Sequence, residues 1–289
     1  MNKKDPRPPI IIIGMHRSGT AMLSRMLEDL GLFMGYKKQH DHEALFFLKI
    51  NDWLLSQCGG SWEYPEAFHY LLRYKEVRAL ALTYIRYIIK TPRIISYLGL
   101  KRYLKYHSLY DLDFPWGWKD PRNTFTLPLW LDIFPDAKVI HIYRNGVDVA
   151  NSLKVREDTI FRKRSQPIHN RYKRMLYILR PKLGGFTNFL RCASLEGGFS
   201  LWEEYLTEAQ THVESLKDRA ISIKYEDFLA EPHRILSSLA CFCGLSVSDD
   251  VIIKAAGKAV KSRAYAYKDN PELRIFCEQV ASRMHKYGY

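Results

Sequence analysis

The sequence lacks a long apolar run of the kind that spans a membrane. A spanning helix needs about 20 predominantly apolar residues, and the best candidate, residues 80–100, is interrupted by three basic residues and Pro92. The first nine residues are charged and proline-rich, and the apolar run at residues 10–13 is shorter than the core of a secretory signal. We therefore expect no integral membrane segment and no signal peptide.

Cysteine is scarce and gives no disulfide framework. The five cysteines are odd in number and widely scattered, which is unlike the paired spacing of a small secreted domain. Cys241 and Cys243 lie in an apolar run, which favours small buried thiols over a metal-binding pair. A reducing compartment fits this usage, and we predict a cytoplasmic protein.

Acidic residues are fewer than basic ones. The 44 Lys and Arg against 31 Asp and Glu give a net charge of +13, which attracts anionic ligands without identifying them. A nucleic-acid-binding protein is one alternative, but no aromatic stacking platform or reading element accompanies the charge. Residues 154–191 hold eleven Lys and Arg against Glu157 and Asp158. A solvated basic face and a substrate-binding lid both remain open for this segment.

Short β-branched runs alternate with segments of helical periodicity. The run Ile10 to Ile13 is continuously apolar and ends at Gly14, which is typical of a strand buried on both faces of a parallel sheet. Further strands are predicted at 138–143, at 220–224 and, shorter, at 115–118, and helices at 21–30, 43–57, 67–89, 124–134, 195–216 and 234–242, with others beginning near 146 and 227. This alternation predicts an α/β protein with a P-loop-like three-layer fold, in which helices flank a central, mostly parallel sheet.

The length suits a single domain. We predict one domain over residues 1–289, with helical insertions at about 64–113 and 154–191.

Residues 14–20, Gly-Met-His-Arg-Ser-Gly-Thr, join the first strand to the first helix. A glycine-containing turn at this place aims backbone N–H groups and the positive end of a helix at one point, which favours a phosphate or sulfate. In a Walker P-loop the positions of Thr20 and Ala21 would hold the lysine and the magnesium ligand. A magnesium-dependent kinase or NTPase is therefore a disfavoured alternative, and Arg17 supplies the cation. A simple tight turn is the other interpretation of the spacing.

A second candidate phosphate site follows the strand at 138–143. Arg144 stands at the strand's end, and Ser152 follows eight residues later in a predicted helix. The guanidinium group offers a planar fork of donors for phosphate oxygens, and the hydroxyl adds another.

The loop and the R-x7-S unit together resemble the PAPS-dependent sulfotransferases. PAPS is 3′-phosphoadenosine 5′-phosphosulfate, and the R-S-G-T form resembles the Golgi tyrosylprotein and many bacterial carbohydrate enzymes. The resemblance implies that the loop wraps the 5′-phosphosulfate, that Arg144 and Ser152 hold the 3′-phosphate, and that adenosine 3′,5′-bisphosphate is the product. The loop residues that it assigns to donor binding are His16, Arg17, Ser18, Gly19, Thr20 and Ala21.

Three further stretches carry the resemblance. Lys119 and Arg122 lie in a stretch, W-K-D-P-R, similar to the K-D-P stretch of tyrosylprotein sulfotransferases, which implies that Lys119 contacts the sulfuryl group. Glu43 begins an E-x-x-F-F stretch like that of the heparan glucosaminyl sulfotransferases, which implies a catalytic base; His42 is the alternative, because Glu43 lies farther from Arg17 than in those enzymes. Tyr225 begins a Y-E-D segment and is implied to lie near the adenine. Arg17 and Lys119 would stabilise the departing charge.

The resemblance covers residues 10–48 and 117–153 well and the insertions hardly at all. The C-terminal R-K-G-x-x-G loop of cytosolic small-molecule sulfotransferases is missing, and Lys258, Lys261 and Arg263 are its candidate substitutes. We predict transfer to the hydroxyl of a glycan or another small-molecule alcohol, with no metal and no nucleic-acid partner. The acceptor's identity and self-association into a homo-oligomer are left open.

Overall fold

One parallel sheet of four strands organises the computed structural model, which describes residues 5–181 and 185–289. The strands are β1 (Ile10–Ile13), β2 (Gly117–Lys119), β3 (Lys138–Tyr143) and β4 (Ala220–Lys224), in the order β2-β1-β3-β4. Each adjacent pair is parallel. The sheet with its flanking helices confirms the predicted α/β class.

The α-helices of the described residues are α1 (Thr20–Asp29), α2 (Leu45–Ser56), α3 (Phe68–Arg73), α4 (Lys75–Ile88), α5 (Ile95–Leu98), α6 (Leu100–Tyr106), α7 (Asn123–Ile133), α8 (Gly146–His169), α9 (Arg171–Leu179), α10 (Leu195–Leu216), α11 (Tyr225–Ala230), α12 (Pro232–Phe242), α13 (Asp249–Ala256), α14 (Pro271–Gln279) and α15 (Ala281–His285). Short 3-10 helices lie at Pro65–Ala67, Pro92–Ile94, Leu109–Asp111, Leu190–Ala193, Lys217–Arg219, Lys261–Arg263 and Ala266–Asp269. No helix in these stretches of chain combines the length and the apolar content that crossing a membrane requires.

Strand β1 is buried on both faces. Its four isoleucines are at most 3% exposed, and β1 is an interior strand of the sheet, paired with β2 on one side and with β3 on the other. Successive side chains point to opposite faces of a sheet. Ile10 and Ile12 pack in an aliphatic core with α1 and α12. Ile11 pairs with Trp118, whose indole stacks on Phe47 of α2 with 3.9 Å between ring centroids.

The chain divides into two compact units. The first comprises Met1–Arg144 and Glu204–Ala264 and contains the sheet, and the second comprises Asn145–Glu203 and Tyr265–Tyr289. The single domain over 1–289 stays a prediction. The 64–113 segment is helical, as expected, and so is 154–179; residues 182–184 of the second predicted insertion, like residues 1–4, lie outside the described residues.

Most predicted elements lie where the sequence indicates. The strands at 138–143 and 220–224 and the helix at 195–216 have the predicted bounds. The single helix predicted at 67–89 is wrong, because Tyr74 has an extended backbone (ψ 97°) and separates α3 from α4. Of the two cysteines predicted to be buried, Cys243 is buried and Cys241 is exposed.

Candidate active site

Four of the predicted site regions in the first unit lie at the carboxyl ends of the four strands. The glycine loop follows β1, Lys119 is the last residue of β2, Arg144 follows β3, and Tyr225 follows β4. Parallel neighbours present their carboxyl ends at the same edge of a sheet, which is where ligands bind in α/β folds. The strand order therefore gathers residues that are far apart in sequence.

The loop between β1 and α1 is tightly constrained. Gly14 has φ 134°, a side chain at its Cβ position would lie 2.2 Å from the backbone oxygen of Ile142, and its N–H donates to Thr124 Oγ1 at 3.1 Å. Arg17 adopts a left-handed backbone (φ 69°) and is exposed. The Ser18 hydroxyl, by contrast, is buried and has no hydrogen-bond partner among the residues described.

Tyr225 lies between the glycine loop and Arg144. At Gly19 (φ 94°) a Cβ would lie 2.5 Å from Cδ2 of the Tyr225 ring, so only glycine fits against it. The Arg144 guanidinium carbon lies 5.0 Å from the centroid of the same ring, within the range of a cation–π interaction. The buried Tyr225 ring therefore separates the glycine loop from Arg144, which belong to the two predicted phosphate-binding regions.

Arg144 also makes a backbone contact. Its Nη2 donates to the carbonyl oxygen of Arg263 at 2.8 Å. Arg263, a candidate substitute for the missing C-terminal loop, therefore contacts Arg144 through its backbone. Lys258 pairs with Asp29 at 2.7 Å. Asp29 is the last residue of α1, and at 1.5 Å per residue it lies about 15 Å along the helix from the glycine loop. Because Lys258 is held at this far end of α1, its position argues against Lys258 as a substitute for the missing C-terminal loop.

Glu43, the predicted base, and Lys119, the predicted transition-state cation, form an ion pair. Lys119 Nζ contacts Glu43 Oε1 and also donates to the backbone oxygen of Asp41, and the two side chains are only 1% and 6% exposed. Burial raises the pKa of the Glu43 carboxyl, and the Lys119 ammonium group partly offsets that rise. A carboxylate with a raised pKa beside a cation is well suited to accept a proton.

His42, the alternative base, lies beside this pair. It has a left-handed backbone (φ 63°) and a side chain about one quarter exposed, and its Nδ1 is 3.8 Å from Glu28 Oε2. Partial burial lowers the pKa of His42, with Arg25 and Lys38 acting in the same direction. A neutral imidazole can also accept a proton, so the geometry leaves both candidates in place.

A buried polar network that the sequence analysis missed supports Lys119. Asn51 of α2 donates to Asp120 Oδ2 (2.9 Å) and Asn123 Oδ1 (2.8 Å) and accepts from Thr126 and Trp130. Since every polar atom of the Asn51 side chain is used, the network fixes the backbone that follows Lys119. An isolated asparagine in a helical stretch gives no sequence signal of this role.

Arg122 belongs to the same network. Its guanidinium group pairs with Asp120 at 3.0 Å and with Asp52 at 2.7 Å. The arginine therefore has two carboxylate partners, and these contacts account for it as a residue that holds the turn after β2.

Ser152 lies about two turns into α8, in the second unit, and is half-buried. Its action together with Arg144 stays a prediction. Asn145 caps α8 by accepting from the N–H groups of Val147 and Asp148. Asp148 accepts from the N–H groups of Ala266 (3.2 Å) and Tyr267 (2.8 Å), so it fixes a later turn of the chain in addition to favouring the helix dipole.

Trp202 is buried in the second unit. Its indole lies 5.0 Å from the Phe199 ring and 5.1 Å from the Tyr287 ring. A Cβ at Gly146 would lie 2.8 Å from it. These contacts are those of a core residue.

No three His, Cys, Asp or Glu side chains within residues 5–181 and 185–289 are grouped so that they could hold a metal ion.

The chain is similar to known sulfotransferases. A family model described as "Sulfotransferase family" matches residues 8–249. No curated protein matches the chain. Among solved structures, the sulfotransferase domain from the curacin biosynthetic pathway is similar, with a TM-score of 0.50 and 16% identity, covering 96% of this chain and 99% of that chain. This likeness supports the fold.

Two other solved sulfotransferases also match. The enzyme from Alicyclobacillus acidocaldarius has a TM-score of 0.48 and 16% identity, covering 97% of this chain and 92% of its own. The enzyme from Mycobacterium tuberculosis has a TM-score of 0.44 and 16% identity, covering 89% of this chain and 72% of its own.

Proposed function

The chain belongs to the sulfotransferase family, whose model matches residues 8–249, and we propose that it transfers the sulfuryl group of PAPS to an acceptor hydroxyl. The main observation in support of this proposal is the buried ion pair between Glu43 and Lys119, which lies at the sheet edge where the glycine loop also begins. The product from the donor is adenosine 3′,5′-bisphosphate.

The glycine loop fits the 5′-phosphosulfate. The buried Ser18 hydroxyl has no partner within the described residues, and an unsatisfied buried hydroxyl is costly unless a ligand completes it. Arg17 is exposed at the tip of the loop, where its guanidinium group can accompany the backbone donors of residues 16–21. Together these groups bind an anion and orient it towards the sheet edge.

Arg144 and Ser152 hold the 3′-phosphate in this proposal. Tyr225, which the Arg144 guanidinium group contacts, packs near the adenosine. Because ATP carries no 3′-phosphate, the enzyme should bind adenosine 3′,5′-bisphosphate more tightly than ATP. A calorimetric titration tests this: equal affinities for the two nucleotides, or an affinity that R144A leaves unchanged, would reject the assignment.

The reaction requires one proton acceptor and two cations. The acceptor oxygen forms a bond to sulfur, the bond from sulfur to the bridging oxygen breaks, and the electron pair stays on the bisphosphate. Glu43, with His42 as the alternative, takes the acceptor's proton. Lys119 and Arg17 stabilise the negative charge that develops, which is the largest contribution to such transfers.

The acceptor is a glycan or another small-molecule alcohol in this proposal, and the enzyme acts as one domain in the cytoplasm. All five cysteines are free, which supports a reducing compartment. The missing Walker lysine and magnesium ligand oppose a kinase, and the family match opposes a nucleic-acid-binding role.

Incubation with PAPS and a panel of glycans, lipids and phenols tests the activity. A mass gain of one sulfuryl group on an acceptor, with stoichiometric release of adenosine 3′,5′-bisphosphate, is the expected result. R17A is the matched control for contaminating activity. Turnover that required magnesium and ATP instead would replace the proposal by a phosphoryl transfer.

A further inference from the structure

Helix α9 in the second unit presents an apolar stripe to solvent. No residue of the nine in Arg171–Leu179 is buried. Tyr172, Met175, Leu176 and Leu179 are 83%, 60%, 62% and 82% exposed. Their spacing of three, four and seven residues places them on one face, since each residue of a helix advances by about 100°.

The cations of α9 lie off this stripe, on the part of the helix that also carries Tyr177 and the exposed Ile178. At the same angular step Arg171, Lys173 and Arg174 lie outside the stripe. The segment 159–181 around the helix contains seven Lys and Arg and no Asp or Glu. Within the described residues, Arg171, Lys173 and Arg174 form no ion pair, so their charges are available to an external anion.

The helix is preformed. The Asn170 side chain accepts hydrogen bonds from the N–H groups of Tyr172 and Lys173, both at 3.1 Å, and so caps the first turn. A capped helix presents its apolar and cationic faces together and loses less conformational entropy on binding than a disordered segment would.

We propose that α9 binds the surface of an anionic lipid bilayer, with the apolar stripe inserted at the level of the headgroups and the cations contacting lipid phosphates. Clusters of exposed large apolar side chains on a soluble protein mark interaction sites, and cations beside such a stripe are typical of helices that lie in a membrane interface. Tyr172, on the stripe, is a side chain that favours this interface.

The apolar stripe distinguishes a bilayer from the other anionic partners. An acidic glycan or a nucleic acid would neutralise the cations but would leave four large apolar side chains in water. A bilayer satisfies both faces of the helix at once. Since the helix has only nine residues, the binding should be reversible and sensitive to salt.

Sedimentation of the full-length protein with vesicles tests the proposal. Vesicles of phosphatidylcholine with phosphatidylglycerol should retain the protein, and vesicles of phosphatidylcholine alone should not. Raising the salt to about 0.5 M should release most of the bound protein, because screening weakens surface charge interactions. The double variant L176S/L179S and the triple variant R171Q/K173Q/R174Q should each lower the partition coefficient by about tenfold or more.

Leu80 and Ile275 provide a matched control, because they are also exposed apolar residues on helices, in α4 and α14. The variant L80S/I275S removes the same kind of surface from elsewhere and should bind vesicles normally. Thermal unfolding of all the variants near the wild-type temperature checks that they are folded. The vesicle experiment uses no sulfuryl acceptor, so its outcome is independent of the proposed reaction.

Several outcomes would overturn the assignment. Equal binding to neutral and anionic vesicles, or binding that the α9 variants leave unchanged, would mean that another surface is responsible. Absence of vesicle binding with altered turnover in L176S/L179S would favour a substrate lid. A dimer in sedimentation velocity that becomes a monomer in the same variant would identify a second copy of the chain as the partner.

Discussion

Lys119 and Glu43 form a buried ion pair although they lie 76 positions apart in the sequence. The lysine comes from the end of β2, and the glutamate comes from the residues just before α2. Removing two charges from water costs several kcal/mol, and such a pair is retained where function requires it or where a network satisfies it. Here the Asp41 carbonyl oxygen also accepts from the lysine.

Replacement of Glu43 by glutamine should abolish most of the activity. An amide keeps the shape but cannot accept the proton, and we expect turnover to fall by about 10²-fold or more. Burial raises the pKa of Glu43 above its ordinary value of 4.5, so wild-type turnover should fall as the pH drops through this raised pKa. Turnover measured against pH in wild type and in E43Q checks both points.

The variant H42N is the control for the identity of the base. Asparagine tolerates the left-handed backbone at position 42, so this variant should fold and retain the acid limb of the pH profile. If H42N loses the limb and E43Q keeps it, His42 is the base.

The variant E43Q/K119M should unfold at a higher denaturant concentration than E43Q, because E43Q leaves the buried Lys119 ammonium group without its carboxylate partner.

Arg17 should contribute to the rate and little to the fold. Its side chain is exposed on the glycine loop, so R17A should unfold at nearly the wild-type temperature. Turnover should fall by about 10² to 10³, the usual loss for one preorganised charge. R25A is a control at another exposed arginine, in α1 and close in the chain, and should leave turnover within about threefold. Unchanged turnover in R17A would remove Arg17 from the mechanism.

Gly19 should tolerate no side chain, because its Cβ would overlap the Tyr225 ring. Gly31 offers a matched control, since it has φ 98° against 94° at Gly19 but open space around its Cβ position. G31A should cost only the backbone strain of about 1–2 kcal/mol. G19A should cost more in unfolding free energy and weaken binding of the bisphosphate by about tenfold or more. Equal effects of the two substitutions would show that the Tyr225 contact is unimportant.

His141 should make the protein sensitive to acid. It is fully buried in β3, and burial, with His212 nearby, lowers the pKa of His141 from 6.5 to about 3. Between those values the unfolded state binds more protons than the folded state, so the free energy of unfolding decreases as the pH falls. The loss from pH 6.5 to pH 4 should reach about 2 to 3 kcal/mol.

The variant H141N tests this, because asparagine can retain a hydrogen bond to Ser222, which His141 Nδ1 contacts at 3.0 Å. Urea unfolding should give a flatter dependence of the unfolding free energy on pH for H141N than for wild type between pH 4 and 6. H40Q replaces a fully exposed histidine and should keep the wild-type slope. A slope that H141N does not change would assign the acid sensitivity to other groups.

The sequence by itself determined the elements whose signals are local. The run at Ile10–Ile13, the glycines around Arg17 and the apolar period of Leu195–Leu216 depend on neighbouring residues, so β1, the loop and α10 could be located without a structure. The order of the motifs along the chain was sufficient to identify the resemblance to sulfotransferases.

Only the tertiary structure decided what depends on contacts between distant residues. The strand order β2-β1-β3-β4 brings Lys119, Arg144 and Tyr225 to one edge with the glycine loop. The same folding buries Glu43 against Lys119 and surrounds Asn51 with polar partners. Burial and desolvation set proton affinity and depend on the whole packed unit, so no local pattern of residues could have predicted them.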